Sequence, residues 1–192
     1  LESGCYFMND LEQLVSYLEG HFSNEQQFSE LTETAQSEFP FAIHKSHIFN
    51  DRVLNLPENF KGIFLLEESY YTLNGKERFK SDIFLFEVNS SSNVKLSSIT
   101  VPKNYANKKY EEIESIPFSE MTISEKFVPI VYKKENETFI GQSESKFTEK
   151  NHFILKQTIS EKKLIIKEEI MRGNKRIFVF DKPIEYVRVK EN

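Results

Sequence analysis

The chain of 192 residues has no tryptophan, one cysteine, six glycines, six prolines and three methionines. Each scarcity excludes something. A single thiol, Cys5, rules out an internal disulfide, a Cys-x-x-Cys redox pair and a thiolate-rich metal site, and it fits a reducing compartment. The glycines form neither a dinucleotide fingerprint nor a Walker phosphate loop, and no Gly-x-Ser-x-Gly or His-Glu-x-x-His motif occurs. His44 and His47 are three apart, which on a strand puts them on opposite faces, so they do not form a metal pair. No metal site and no nucleophile of the chain's own is expected. No apolar run approaches the roughly 20 residues of a membrane helix, so the expectation is a cytoplasmic protein without membrane contact. The formal charge of -5 argues against a nucleic-acid partner, because phosphate neutralisation needs clustered Lys and Arg.

What the chain does have is 18 Phe and 8 Tyr, a balance suited to β-structure with a wide apolar interior. Residues 1–8 are read as a leader outside the fold, and residues 9–192 as one domain. Asn9 and Glu12 form a helix-capping pattern, followed by Leu11, Leu14, Val15 and Leu18 on one face of a helix ending near Gly20. Ser23 and Gln26 repeat the pattern and predict a second helix from Asn24 towards Thr34, with Phe28 and Leu31 on one side. From Phe41 the period changes to two. Strands are expected over Ala42–Phe49, Gly62–Tyr71, Arg78–Val88, Val94–Val101 and Val128–Lys133, then over Thr138–Gln142, His152–Thr158, Leu164–Met171, Arg176–Phe180 and Glu185–Val189. The one long connection, Lys103–Ser124, is expected to hold a short helix around Tyr110–Ile113. Two N-terminal helices followed by such a meander predict a mainly β fold. It would be a closed antiparallel lipocalin-like barrel of about nine or ten strands, with a packed β-sandwich as the alternative.

The most informative stretch is Gly62 to Val88, two apolar runs joined by Asn74-Gly75, a dipeptide that accepts positive φ at both centres of a tight hairpin turn. Alternation puts Arg78, Lys80 and Asp82 on one face of the second strand, and Phe84 and Phe86 continue that face. A charged mouth above an aromatic floor suits a long apolar ligand carrying carboxylates. Open-chain tetrapyrroles fit, since their propionates want Arg or Lys, their pyrrole nitrogens a carboxylate, and their conjugated plane Phe and Tyr. A fatty acid or a peptide fits less well.

Several short segments then line up, in order, with one family. Phe22-Ser23-Asn24-Glu25-Gln26-Gln27 follows Leu18-Glu19-Gly20-His21, and Glu67, Tyr70, Leu73-Asn74, Arg78 and Lys80 match the hairpin of that family. Arg52 with Leu56-Pro57, Thr100-Val101, Phe139-x-Gly141 and Pro183 with Val187-Arg188 follow more loosely. From Leu11 to Val189 the chain resembles the T-type phycobiliprotein lyases, the CpcT/CpeT chromophore lyase family. It departs in lacking a Pro-Gly-Lys-x-Cys-like segment after Phe139-x-Gly141, in lacking the later Arg-Gly and Trp-Gly elements, and in carrying Lys80 where an Arg is usual.

The resemblance implies a lipocalin-like barrel that binds a bilin such as phycoerythrobilin or phycocyanobilin as a ligand, with no permanent cofactor. It would assist attachment of that bilin to a cysteine of a phycobiliprotein β-subunit, the acceptor thiolate adding across the ring A ethylidene double bond. Arg78, Lys80 and Arg188 would then contact propionates, Glu67 by the resemblance or Asp82 by sharing a strand face with Arg78 and Lys80 would take the pyrrole nitrogens, and Tyr70 and Tyr71 would stack or hydrogen-bond. Glu67 and Tyr70 point to opposite faces of a regular strand, so they line one cavity only where a bulge or strand end re-aims one of them. A binding or storage protein without transfer activity, or a carrier of another apolar carboxylate, is the alternative. A homodimer is left open.

Overall fold

The computed structural model describes residues 7–180 and 182–190, so Cys5 and most of the leader segment lie outside the described residues. Helix α1, Asp10–Leu18, starts with a reciprocal capping box. Glu12 N–H donates to the Asn9 side chain at 2.9 Å, and Asn9 N–H donates to the Glu12 carboxylate at 3.2 Å. Leu11, Leu14, Val15, Tyr17 and Leu18 form its buried face. Strand β1, Gly20–Ser23, follows, and then the short helices α2, Glu25–Ser29, and α3, Glu33–Glu38. The chain continues with β2 (Phe41–Ile48), β3 (Val53–Leu54), β4 (Ile63–Leu73), β5 (Lys76–Val88), β6 (Val94–Thr100), β7 (Ile116–Pro117) and β8 (Thr122–Ile123). The last six strands are β9 (Ile130–Glu135), β10 (Thr138–Lys146), β11 (Asn151–Ile159), β12 (Lys163–Arg172), β13 (Lys175–Val179) and β14 (Ile184–Arg188).

Ten strands close into an antiparallel ring in the order β11-β10-β9-β6-β5-β4-β2-β1-β14-β12, with β12 returning to β11. The expected lipocalin-like barrel is the observed architecture. Every expected strand has a counterpart, but the one expected at Arg176–Phe180 is not in the ring; β13 extends the free edge of β12. Its place is taken by β1, four residues too short to show a period of two.

The second helix also differs from expectation. It is split in two, with Thr32 capping α3 through a bond from Ala35 N–H at 3.3 Å. Ser23 Oγ accepts from Glu25 N–H at 3.2 Å at the start of α2, while Asn24 stands at the N-cap position without a side-chain cap, because its side chain is a fully buried bracket. Its amide donates to the Pro40 carbonyl at 2.9 Å and accepts from Ala42 N–H at 2.8 Å, which ties the end of β1 to the start of β2.

Apolar packing falls into two regions on either side of the barrel wall. Inside, α1 plugs one end, packing Leu14, Val15 and Leu18 with Phe86, Val94, Phe139, Ile159 and Leu164. Gly141 on β10 lies opposite Tyr132 on β9, and a Cβ there would come within 2.4 Å of Ile130 Cγ2 and 2.8 Å of the Tyr132 ring. Only glycine lets that ring cover the strand. Outside, the long connection folds over β4, β5 and β6, and Phe49, Phe64, Leu66, Ile83, Leu85, Ile113 and Ile116 form a second buried cluster. The expected short helix is present there as a 3-10 turn, Tyr110–Glu112. Arg52 holds it by donating to the carbonyls of Tyr110 and Ile113, with its guanidinium 3.5 Å from the centre of the Tyr110 ring. With one end of the barrel plugged, the opposite end is the mouth. Among the described residues, no helix is long and apolar enough to cross a membrane.

Candidate ligand site at the barrel mouth

The mouth is shaped by two interruptions in the wall. β5 pairs with β6 only from Phe84 onward, so the β4–β5 hairpin projects past the barrel with one edge free. Asn74 and Gly75 turn it with φ of 51° and 70°, the positive values that their types accept. On β12, pairing to β14 ends at Ile166 and pairing to β13 starts at Glu169. Lys167 and Glu168 therefore have no ladder partner on that side, and the wall parts beside them.

A cleft of about 570 Å³ lies between these features, within the range of small-molecule sites. Tyr71, Ile166, Ile184, Tyr186 and Phe180 give it an aromatic and aliphatic floor, and Lys76, Arg78, Lys80, Lys167 and Lys182 give it a cationic rim. Lys80 pairs with Asp82 at 3.0 Å and Lys167 with Glu169 at 2.9 Å. Lys76, Arg78 and Lys182 make no ion pair among the described residues. In a chain of net charge -5, the described lining of this cleft carries five cations and one acid. Among the described residues, Glu168 is the one acid on the lining, and it makes no hydrogen bond or ion pair.

The site residues expected from sequence separate cleanly. Tyr71, Arg78 and Lys80 line the cleft. Glu67 and Asp82 share its inner face one layer deeper, directly opposite each other across the β4–β5 ladder. The remaining two expected residues, Tyr70 and Arg188, are not brought to the cleft. The ladder runs through this stretch without a bulge, so alternation turns Tyr70 outward, where its hydroxyl donates to Glu68 at 2.5 Å and its ring lies 5.0 Å from Phe79. Arg188 lies at the plugged end of the barrel, its guanidinium donating to the carbonyls of Glu19 at 2.7 Å and Ser16 at 3.1 Å. Those carbonyls belong to the last turn of α1, where a cation is favoured, so Arg188 closes a helix.

Sequence reasoning missed His44, Glu168, Tyr186, Lys76 and Lys182. His44 is 3% exposed inside the barrel. Its cross-strand partner is Ser69 and its diagonal neighbours on β4 are Glu67 and Tyr71, so strand geometry alone brings these groups together. Tyr71 Oη lies 3.2 Å and Tyr186 Oη 3.0 Å from His44 Nε2, and the Tyr186 ring stacks on the imidazole at 4.2 Å. His47, on the opposite face as expected, stacks outside on Tyr110 at 4.2 Å. Alternation could have flagged His44 as inward-facing; nothing in the sequence signalled that β14 would bring Tyr186 beside it.

Burial sets the proton affinities in this layer. It pushes Glu67 up to about 7, assisted by the like charge of Asp82 opposite and opposed by Lys80. It pushes His44 down to about 4, against the pull of Glu168. Burial also raises Glu168, against the pull of Lys80 and His44, and raises Tyr71 and Tyr186. For Lys80, burial works against its charge, but Asp82 and Glu168 outweigh it and its affinity for the proton rises. Among the described residues, no group of His, Cys, Asp and Glu is arranged to hold a metal ion.

Fold and site together define a closed antiparallel barrel of lipocalin type with a cation-rimmed, aromatic-floored mouth. No protein-family model matches the chain, and no curated protein matches it.

Proposed function

We propose that the chain binds an open-chain tetrapyrrole in the barrel mouth and assists its thioether attachment to a cysteine of a phycobiliprotein β-subunit. The observation that carries this reading is the set of cations without an ion pair among the described residues, Lys76, Arg78 and Lys182, around a floor that includes Tyr71, Tyr186 and Phe180. Two propionates would pair with cations at the rim by charge-assisted hydrogen bonds, and the conjugated plane would lie against the half-buried rings of Tyr71 and Phe180. Glu168, the acid nearest the ligand space, takes the pyrrole nitrogens in place of Glu67 and Asp82, which lie deeper. Attachment needs no nucleophile from this chain. The acceptor thiolate forms the C–S bond with ring A, the ethylidene π bond opens, and a proton completes the adduct on the tetrapyrrole. The chain would contribute by holding ring A oriented and shielded from misaddition.

A second reading, a carrier that binds the bilin without transferring it, is favoured by the missing Pro-Gly-Lys-x-Cys-like segment after Phe139-x-Gly141. Incubation of the bilin-loaded protein with apo β-subunit separates the two. Covalent adduct formed faster than with free bilin supports the lyase; a rate equal to that of free bilin, from protein that demonstrably binds it, leaves the carrier.

A further inference from the structure

Tyr71 and Tyr186 belong to the cleft wall and also to a chain of polar groups that leads inward from it. Both phenol oxygens meet His44 Nε2, at 3.2 and 3.0 Å. The other ring nitrogen, Nδ1, is fully buried, has no hydrogen-bond partner among the described residues, and faces Glu67 Oε2 at 3.6 Å. Oε1 of the same carboxyl accepts from the Ser69 hydroxyl at 3.4 Å. An imidazole that accepts from a phenol at Nε2 keeps its hydrogen on Nδ1, towards Glu67; one that donates from Nε2 leaves Nδ1 open to accept from a protonated Glu67. Exchanging these two arrangements moves one proton between the deep carboxyl and the cleft wall. The 3.6 Å between Nδ1 and Glu67 Oε2 is the one step longer than a hydrogen bond.

We propose that Glu67 is the proton donor to the cleft ligand, acting through His44 and the Tyr71–Tyr186 pair, and that the carboxylate left behind is the buried counter-ion of the protonated ligand. This rests on the tetrapyrrole reading for the identity of the ligand, whose unprotonated ring nitrogen is the basic group required. The transfer balances without a co-reactant. The Glu67 proton passes to His44 Nδ1, the Nε2 proton to a phenol oxygen, and the phenol hydrogen to the ligand nitrogen. The charged groups facing the chain fit this traffic. Lys80 on β5 favours the ionised carboxyl once the proton has left, while Asp82 on β5 and Glu168 on β12 favour a cationic ligand. Tyr132 from β9 faces Glu67 from below, with its hydroxyl already committed to Gln157. The proton affinities agree, because a carboxyl raised to about 7 holds the proton in preference to an imidazole lowered to about 4, and is mostly protonated at pH 6.

The test is a proton inventory by calorimetry. Phycocyanobilin is titrated into the full chain at pH 6.0 in buffers of different ionisation enthalpy, with absorbance reporting its protonation. The wild-type protein should bind protonated bilin with almost no net uptake from buffer, since Glu67 supplies the proton. Glu67→Gln should either take up about one proton per bilin from buffer or bind the bilin unprotonated. His44→Gln, which breaks the chain at a different point, should do the same. Uptake of about one proton by the wild type, unchanged in both variants, overturns the proposal. If phycocyanobilin does not bind the wild type at all, it is the tetrapyrrole reading that fails. The donor role, which needs the basic nitrogen of that ligand, falls with it, whereas binding with unchanged one-proton uptake in all three proteins overturns the donor role alone.

Discussion

Tyr70 and Tyr71 are neighbours in the chain and lie on opposite sides of the barrel wall. Tyr71 Oη reaches His44 at 3.2 Å inside, and Tyr70 Oη reaches Glu68 at 2.5 Å outside. Their substitutions should therefore separate binding from stability. Tyr70→Phe leaves the buried Glu68 with the Tyr110 N–H as its remaining partner, and should cost about 1–2 kcal/mol in urea unfolding while bilin affinity holds. Tyr71→Phe should alter the absorbance of bound bilin. Loss of binding from Tyr70→Phe in folded protein would contradict the wall assignment.

The rim cations should act on affinity through charge. Arg78→Ala and Lys182→Ala should each weaken bilin binding about fivefold to tenfold, and together should flatten its dependence on salt. Lys163→Ala, whose side chain pairs with Glu185 outside the cleft lining, is the control and should leave binding unchanged.

Arg188 should matter to stability alone. Its bonds to the carbonyls of Ser16 and Glu19, and its position 4.6 Å over the Phe22 ring, join α1 to β1 and β14. Arg188→Ala should cost about 1–2 kcal/mol by urea denaturation and leave bilin affinity within error of wild type. A selective loss of affinity would return Arg188 to the binding site.

The Glu67–His44 pair should give an unusual pH dependence of stability. Glu67 rises from its ordinary 4.5 to about 7, so its contribution is fully present below 4.5 and is lost as pH rises through 7. His44 falls from 6.5 to about 4, so its contribution is present above 6.5 and is lost as pH falls through 4. Between 4.5 and 6.5 the pair carries one proton in both the folded and unfolded chain, on Glu67 when folded and on His44 when unfolded, and the two slopes cancel. Glu67→Gln removes one slope, so melting temperature relative to wild type should climb as pH rises from 5.0 to 6.5. Parallel pH profiles for variant and wild type would show that folding does not move the proton.

The barrel was legible because its signals are local and repeated: the period of two from Phe41 onward, the Asn74-Gly75 turn, and the capping box at Asn9. The inward set Arg78, Lys80 and Asp82 was legible for the same reason, since alternation carries over an unbroken ladder. Long-range facts were not. That the Phe22-Ser23-Asn24 segment is a strand ending in a buried bracket depends on Pro40 and Ala42. That Arg188 closes α1 depends on a contact with residues some 170 positions away. Glu168 enters the cleft because β12 changes partners beside it, which no periodicity encodes.

The central claim is that the barrel mouth holds an open-chain tetrapyrrole, and titration of the purified chain with phycoerythrobilin and phycocyanobilin tests it most directly. Absorbance and fluorescence would be followed with wild type and Arg78→Ala side by side. The account predicts saturable binding by the wild type, a red-shifted and sharpened band with fluorescence from an extended protonated bilin, and weaker binding by the variant. No spectral change with either bilin, from folded protein, would contradict it.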